Sequence, residues 1–209
     1  MNSGPYFTED QRDYLQEICN IGMGQAGQSL SVLFEQYVTL SVPSIEIISE
    51  KNLITTLKRL IPAEKISAVR QGFYTHVADP NICGESITIF SKTDFVQLAQ
   101  LIDLDEEVTF EVEQEMLLEI SNIINGACFS GIAEQLSERL FSTPPSIMGQ
   151  AIIIDHLFNK DNLIWDHALS IKIHYIIDKH SFQCDVLLLM PDSSVQYLVN
   201  ILNRLIDEL

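Results

Sequence analysis

Asp13–Gly24 reads DYLQEICNIGMG and Glu115–Gly126 reads EMLLEISNIING; a shift of 102 positions lays one on the other. Under that shift Leu15, Glu17, Ile18, Asn20, Ile21 and Gly24 meet Leu117, Glu119, Ile120, Asn122, Ile123 and Gly126. The same shift sets Pro43-Ser44-Ile45 on Pro145-Ser146-Ile147 without a gap. Further on the register slips slightly, with Val96-Gln97 answering Val195-Gln196. Half of a twelve-residue window followed by a tripeptide in register is more than chance supplies. The 209-residue chain therefore reads as one domain of two internal repeats, about 1–104 and 105–209, joined near Leu104–Glu107.

Each half predicts the same elements. Thr8-Glu9-Asp10-Gln11 has the spacing of a capping box and opens a helix to about Glu35. Val38–Ile48 reads as a strand with Leu40, Val42, Ile45 and Ile47 apolar. A short helix around Asn52–Leu60 follows, then strands at about Ile66–Ala78 and Glu85–Phe90 across a turn at Asp79-Pro80-Asn81. Thr93–Ile102 closes the half as a helix. The second half predicts a helix over Phe110–Leu140 and strands at Ile147–Ile154, Leu169–Ile177 and Gln183–Leu189. A last helix starts at Asp192. The fold class is α+β, with two pseudo-symmetric halves, each a long helix followed by antiparallel strands and a further helix.

Composition narrows the function. A 46% apolar, 20% charged chain folds around a core. Its 29 acidic against 12 basic residues give a net charge of −17, which repels nucleic acid and an anionic membrane surface. The N-terminus shows no basic region followed by an apolar stretch, and no apolar run approaches the ~18 residues that would span a bilayer. Cys19, Cys83, Cys128 and Cys184 show no CxxC spacing and read as reduced thiols of a cytoplasmic protein.

A helix advances about 100° per residue, so positions i, i+4, i+7 and i+11 share one stripe. Asp13, Glu17, Asn20 and Gly24 form such a stripe, opposite Leu15, Ile18, Gly22, Ala26 and Leu33. Glu115, Glu119, Asn122 and Gly126 form its counterpart, opposite Leu117, Ile120, Ile124 and Ala127. Glu and Asn on one exposed helix are ordinary. Asn is nevertheless a poor helix former, and each glycine costs about 1 kcal/mol relative to Ala. A glycine one turn past the Asn also clears room for another molecule to approach. Both stripes persist while neighbours such as Cys19/Ser121 and Met23/Asn125 differ.

At these residues the chain resembles the CheC/CheX/FliY family of response-regulator phosphatases. That family's pattern is Asp or Ser, three residues, Glu, two residues, Asn, then about twenty-two residues and Pro. Asp13, Glu17, Asn20 and Pro43 match it, with 22 residues between Asn20 and Pro43. Glu115, Glu119, Asn122 and Pro145 match it again with the same gap, except that Glu115 replaces Asp or Ser. Two copies in one chain look like CheC, whereas CheX carries one per subunit. The FliM middle domain is a relative that lacks the Glu/Asn pair.

The resemblance implies a phosphatase that acts in trans on a phosphorylated, CheY-like receiver domain. Asn20 and Asn122 would orient the hydrolytic water, since a carboxamide donates and accepts hydrogen bonds without titrating. Glu17 and Glu119 would pair with the receiver's lysine. Asp13 and Glu115 would support docking, while Pro43 and Pro145 would shape the chain entering a strand. No cofactor of its own is implied, because the receiver brings Mg²⁺. A CheD-like deamidase is a second partner that the resemblance offers, and two internal copies favour a monomer.

The alternative reading is a non-catalytic adaptor or scaffold that binds receivers; a third is a structural part of a flagellar switch. His76, His156, His167, His174 and His180 show no HxxxH or HExxH spacing, even where Asp155 and Asp166 adjoin a histidine. Cys128 sits inside a predicted helix, where nothing lowers a thiol pKa. GxGxxG and P-loop patterns do not occur.

Overall fold

Thr8 caps the first helix as its sequence predicts. In the computed structural model its hydroxyl accepts from the Gln11 N–H at 3.2 Å, and the Gln11 carboxamide accepts from the Thr8 N–H at 2.8 Å. The structure describes residues 7–49, 52–75, 81–91, 93–105, 107–157, 167–177 and 180–208. Helix α1 (Glu9–Phe34) leads to strands β1 (Thr39–Leu40) and β2 (Ser44–Ser49), helix α2 (Leu53–Leu60), strands β3 (Ile66–Tyr74) and β4 (Cys83–Phe90), and helix α3 (Phe95–Leu101). The second half follows the same order: α4 (Phe110–Leu136), β5 (Phe141–Ser142), β6 (Ser146–Ile152), β7 (His167–Ile177), β8 (Phe182–Pro191) and α5 (Asp192–Asp207). A 3₁₀ turn at Ile154–His156 takes the slot of α2. Even the helix ends correspond: Glu35 closes α1 at φ 50°, and Ser137 closes α4 at φ 54°.

Antiparallel pairing joins the eight strands into one sheet of order β1-β7-β8-β4-β3-β5, with β2 also on β7 and β6 also on β3. At its centre Ser86 of β4 faces Leu188 of β8, the residue 102 positions later. A pseudo-twofold axis therefore passes between β4 and β8. Strand β2 pairs with β7 (Ile45 to Ile171), and β6 pairs with β3 (Ile147 to Val69). Each half thus completes its sheet on the other half's strands.

Helices α1 and α4 pack side by side on one face of the sheet. Leu15, Ile18, Leu30, Ile120 and Ile124 meet Val69, Ile171, Ile173, Val186 and Leu188 there in the main core. On the opposite face α2 and the 3₁₀ turn lay Leu53, Leu57, Ile154 and Leu157 over Ile66, Ile87, Ile89, Leu187 and Leu189. Strand β8 is buried on both faces, which is why it reads VLLLM without alternation. By length and composition α4 could cross a bilayer, contrary to the expectation of no such run, but most of that stretch is buried inside the protein.

Several expected boundaries move for local reasons. The strand expected over Val38–Ile48 is two strands, because Pro43 has no N–H to give a ladder. Leu40 and Val42 on the near side of that break are exposed, so the expected alternation fails there. The helix expected to reach Leu140 stops at Leu136, where Ser137 turns left-handed, and the short β5 follows. Strand β6 ends at Ile152, with its register broken near Ala151 at φ 51°. The expected Asp79-Pro80 turn and His76 lie outside the described residues, as does Asp166.

Candidate functional site

Burial of one side of each long helix decides what the other side shows. Leu15, Ile18, Met23, Ala26 and Leu30 point α1 into the core, and this turns Asp13, Glu17 and Asn20 to solvent, with Gly24 half-exposed. Leu117, Ile120, Ile124 and Cys128 do the same for α4, leaving Glu115, Glu119, Asn122 and Gly126 exposed. Glu and Asn three residues apart on a helix are neighbours, about 5–6 Å between Cβ atoms. Among the described residues no protein group bonds or ion-pairs the carboxylates of Asp13, Glu17, Glu115 or Glu119. They stand ready for an external cation or donor.

The glycines divide into two kinds. A Cβ added at Gly24 or Gly126 would meet nothing within 4 Å, so neither glycine serves packing inside the protein. A Cβ on Gly22 would come within 2.8 Å of the Cys128 carbonyl, and one on Gly131 within 2.6 Å of the Gly22 Cα. Gly22 and Gly131 therefore allow α1 and α4 to approach closely. A surface groove of about 380 Å³ starts at Gly126 and continues along Ser130, Glu134 and Arg139 to Phe141.

Pro43 is buried and Pro145 half-buried, each between a two-residue strand and a longer one. Two residues before each proline, a hydroxyl residue ties the break to the neighbouring strand. Ser41 donates its N–H to the His174 carbonyl at 3.0 Å, and its hydroxyl accepts from the His174 N–H at 3.1 Å. Thr143 and Gly72 repeat both bonds at 2.9 Å each. Each proline therefore sits where a short strand gives way to a longer one.

Beneath Asn122 lies a set of polar residues that the sequence reading did not find. Gln71 donates through Nε2 to the Asn122 Oδ1 at 3.3 Å and to the Thr143 carbonyl at 2.9 Å. Asn125 Nδ2 donates to the Gln71 Oε1 at 2.9 Å, and the Ser86 hydroxyl donates to the Asn125 Oδ1 at 2.7 Å. Gln71, Asn125 and Ser86 are almost wholly buried. A signal for them existed: Gln71 holds the inward slot between Val69 and Phe73, and Asn125 lies on the apolar side of α4. By contrast, Asn20 has no side-chain hydrogen bond among the described residues. The positions that correspond to Gln71, Asn125 and Ser86 hold Ile173, Met23 and Leu188, all buried and apolar.

Other reactive groups lie elsewhere. Asp185, nearly inaccessible, accepts from Lys172 at 3.0 Å and sits 2.9 Å from the His174 ring, on the sheet face away from α1 and α4. Burial pushes the Cys128 thiol up to about 12 and raises Cys19 and Cys184 as well, so these thiols stay protonated. Among the described residues no three His, Cys, Asp or Glu side chains form a metal-binding group.

No family model matches the sequence. Solved structures do. The chain is similar to FliY of Thermotoga maritima (TM-score 0.69, 17% identity), covering 95% of this chain and 98% of that one. It is similar to CheX of Desulfovibrio desulfuricans (TM-score 0.56, 14% identity), over 83% of this chain and 99% of that one. The FliM middle domain of H. pylori also matches (TM-score 0.58, 10% identity), over 93% and 99%. At these identities the likeness is one of fold.

Proposed function

We propose that the chain is a member of the CheC/CheX/FliY family, nearest to CheC, built as one domain of two repeats. On this reading it is a cytoplasmic phosphatase of chemotaxis-type signalling, acting in trans on a phosphorylated, CheY-like receiver. The observation that carries the reading is the pair of exposed Glu/Asn stripes, each ending at a glycine with open space above it. The fold shared with FliY and CheX supports it.

In this mechanism α1 or α4 lies over the receiver's phosphoaspartate. Glu17 or Glu119 pairs with the receiver's lysine and sets the register. Asn20 or Asn122 holds a water in line with the scissile bond. The water oxygen bonds to phosphorus while the bond from phosphorus to the aspartyl oxygen breaks. The carboxylate leaves with the electron pair, and the water's protons go to the phosphate and to solvent. The receiver would bring the Mg²⁺ that offsets the developing charge. Asp13 and Glu115 add to docking, and a CheD-like deamidase would bind at another surface.

The test is phosphate release from a single-domain chemotaxis receiver charged with acetyl phosphate, at substoichiometric protein. Turnover is expected, and Asn20→Ala with Asn122→Ala abolishes it while circular dichroism stays unchanged. Hydrolysis that survives the double change removes the assignment. A second reading, a receiver-binding scaffold, draws on the FliM-like fold; it expects co-elution with the phosphate retained. A structural part of a flagellar switch expects stable assembly with motor proteins, indifferent to phosphorylation.

A further inference from the structure

We infer that Gln71 is a positioning residue that holds the Asn122 amide with its oxygen inward and its NH₂ toward the partner. The inference rests on the phosphatase reading above and deepens it. A single backbone atom sets the polarity of the whole chain of bonds. The Thr143 carbonyl can only accept, so the Gln71 atom 2.9 Å from it is the NH₂. The other end of that carboxamide is then an oxygen, and Asn125 must meet it with its own NH₂ at 2.9 Å. This leaves the Asn125 oxygen for the Ser86 hydroxyl at 2.7 Å. The second hydrogen on Gln71 Nε2 points to Asn122, whose atom at 3.3 Å is therefore the oxygen.

Asn122 thus faces outward as a donor, the polarity suited to a water oxygen or an anionic phosphoryl oxygen. The anchor is the Thr143 carbonyl, in the segment before Pro145. In the first half Ile173 and Met23 replace Gln71 and Asn125, and no such hold on Asn20 exists among the described residues.

The test transplants the first half's residues, Gln71→Ile with Asn125→Met, into two backgrounds. With Asn20→Ala, only Asn122 remains, and the swap is expected to cut phosphate release about 10–100-fold, the scale of misplacing a reacting group by an ångström. With Asn122→Ala the swap has nothing left to position, and the further loss disappears. Equal loss in both backgrounds overturns the inference, because a general loosening of the fold touches both sites alike. Gln71→Glu, which keeps the acceptor for Asn125 and removes both donors, is expected to give the same pattern. Should no receiver be dephosphorylated, the phosphatase reading falls and NMR still decides this one. The Asn122 side-chain NH₂ is expected to be more ordered than that of Asn20 and to lose that order on the swap. Equal mobility of the two in the unaltered protein overturns it.

Discussion

Asn20 and Asn122 stand on matching faces of α1 and α4, yet they rest on opposite kinds of interior. Below Asn122 lie Gln71, Asn125 and Ser86; the positions that answer them in the other half hold Ile173, Met23 and Leu188, all buried and apolar. Met23 accepts only a long bond from the Tyr175 hydroxyl, 3.7 Å to its sulfur, whereas the three polar residues form a continuous chain of bonds ending on Asn122. An apolar base gives packing without direction. A polar base gives direction, provided that every donor and acceptor is met, since one buried polar atom left alone costs about 1–3 kcal/mol. The same surface can therefore be kept while its support is exchanged wholesale.

The sharpest way to break the comparison is to remove the two amides singly. Asn122→Ala is expected to lower receiver dephosphorylation about 10²–10³-fold at its own site, the scale of losing one preorganised polar group at a reacting centre. Asn20→Ala is expected to cost less, because among the described residues its amide is not held before the partner arrives. Single-turnover rates with the other site already removed would measure both. Equal rates for the two isolated sites would mean that pre-holding the amide is worth nothing.

A stability experiment separates the interiors themselves. Asn125→Met alone strands the Gln71 oxygen and leaves the Ser86 hydroxyl without its acceptor. A loss of about 2–3 kcal/mol is expected in urea denaturation. Adding Gln71→Ile and Ser86→Leu, the first half's complete set, is expected to recover most of it, because no member of the buried polar chain is then left without its partner. If the triple change is as unstable as the single one, the halves are not interchangeable inside.

The exposed stripes were legible because helical period and repetition both act within short windows. Glu17 and Asn20 need only a helix with Leu15 and Ile18 on its far side. The capping box at Thr8 was legible for the same reason. The polar chain was not, since Gln71, Ser86 and Asn125 belong to three elements whose meeting depends on sheet register. Pro43 was seen as shaping a strand but not as splitting it, because its missing N–H matters only once β7 is known to be its neighbour. Gly131 escaped notice because its requirement comes from Gly22 across the helix pair, not from its own sequence surroundings.

Next in size is the contrast between glycines. Gly131→Ala places a methyl within 2.6 Å of the Gly22 Cα, where backbone must move. A loss of about 1–3 kcal/mol is expected, as for overpacking generally. A neutral result would mean that the two helices can separate at no cost.

Gly24→Ala and Gly126→Ala carry the smallest expected change and run in the opposite direction. Each sits inside a helix with nothing within 4 Å of the added carbon. Each should stabilise the protein by about 0.5–1 kcal/mol from helix propensity alone. A glycine that weakens its helix without serving the protein's own packing has to be explained from outside the chain. The added methyl should then obstruct an arriving receiver, raising the KM for phosphorylated receiver while kcat changes less. The two measurements together are decisive. Stabilisation with unaltered KM would leave the glycines without a docking role, and destabilisation would show that the space above them is filled in solution.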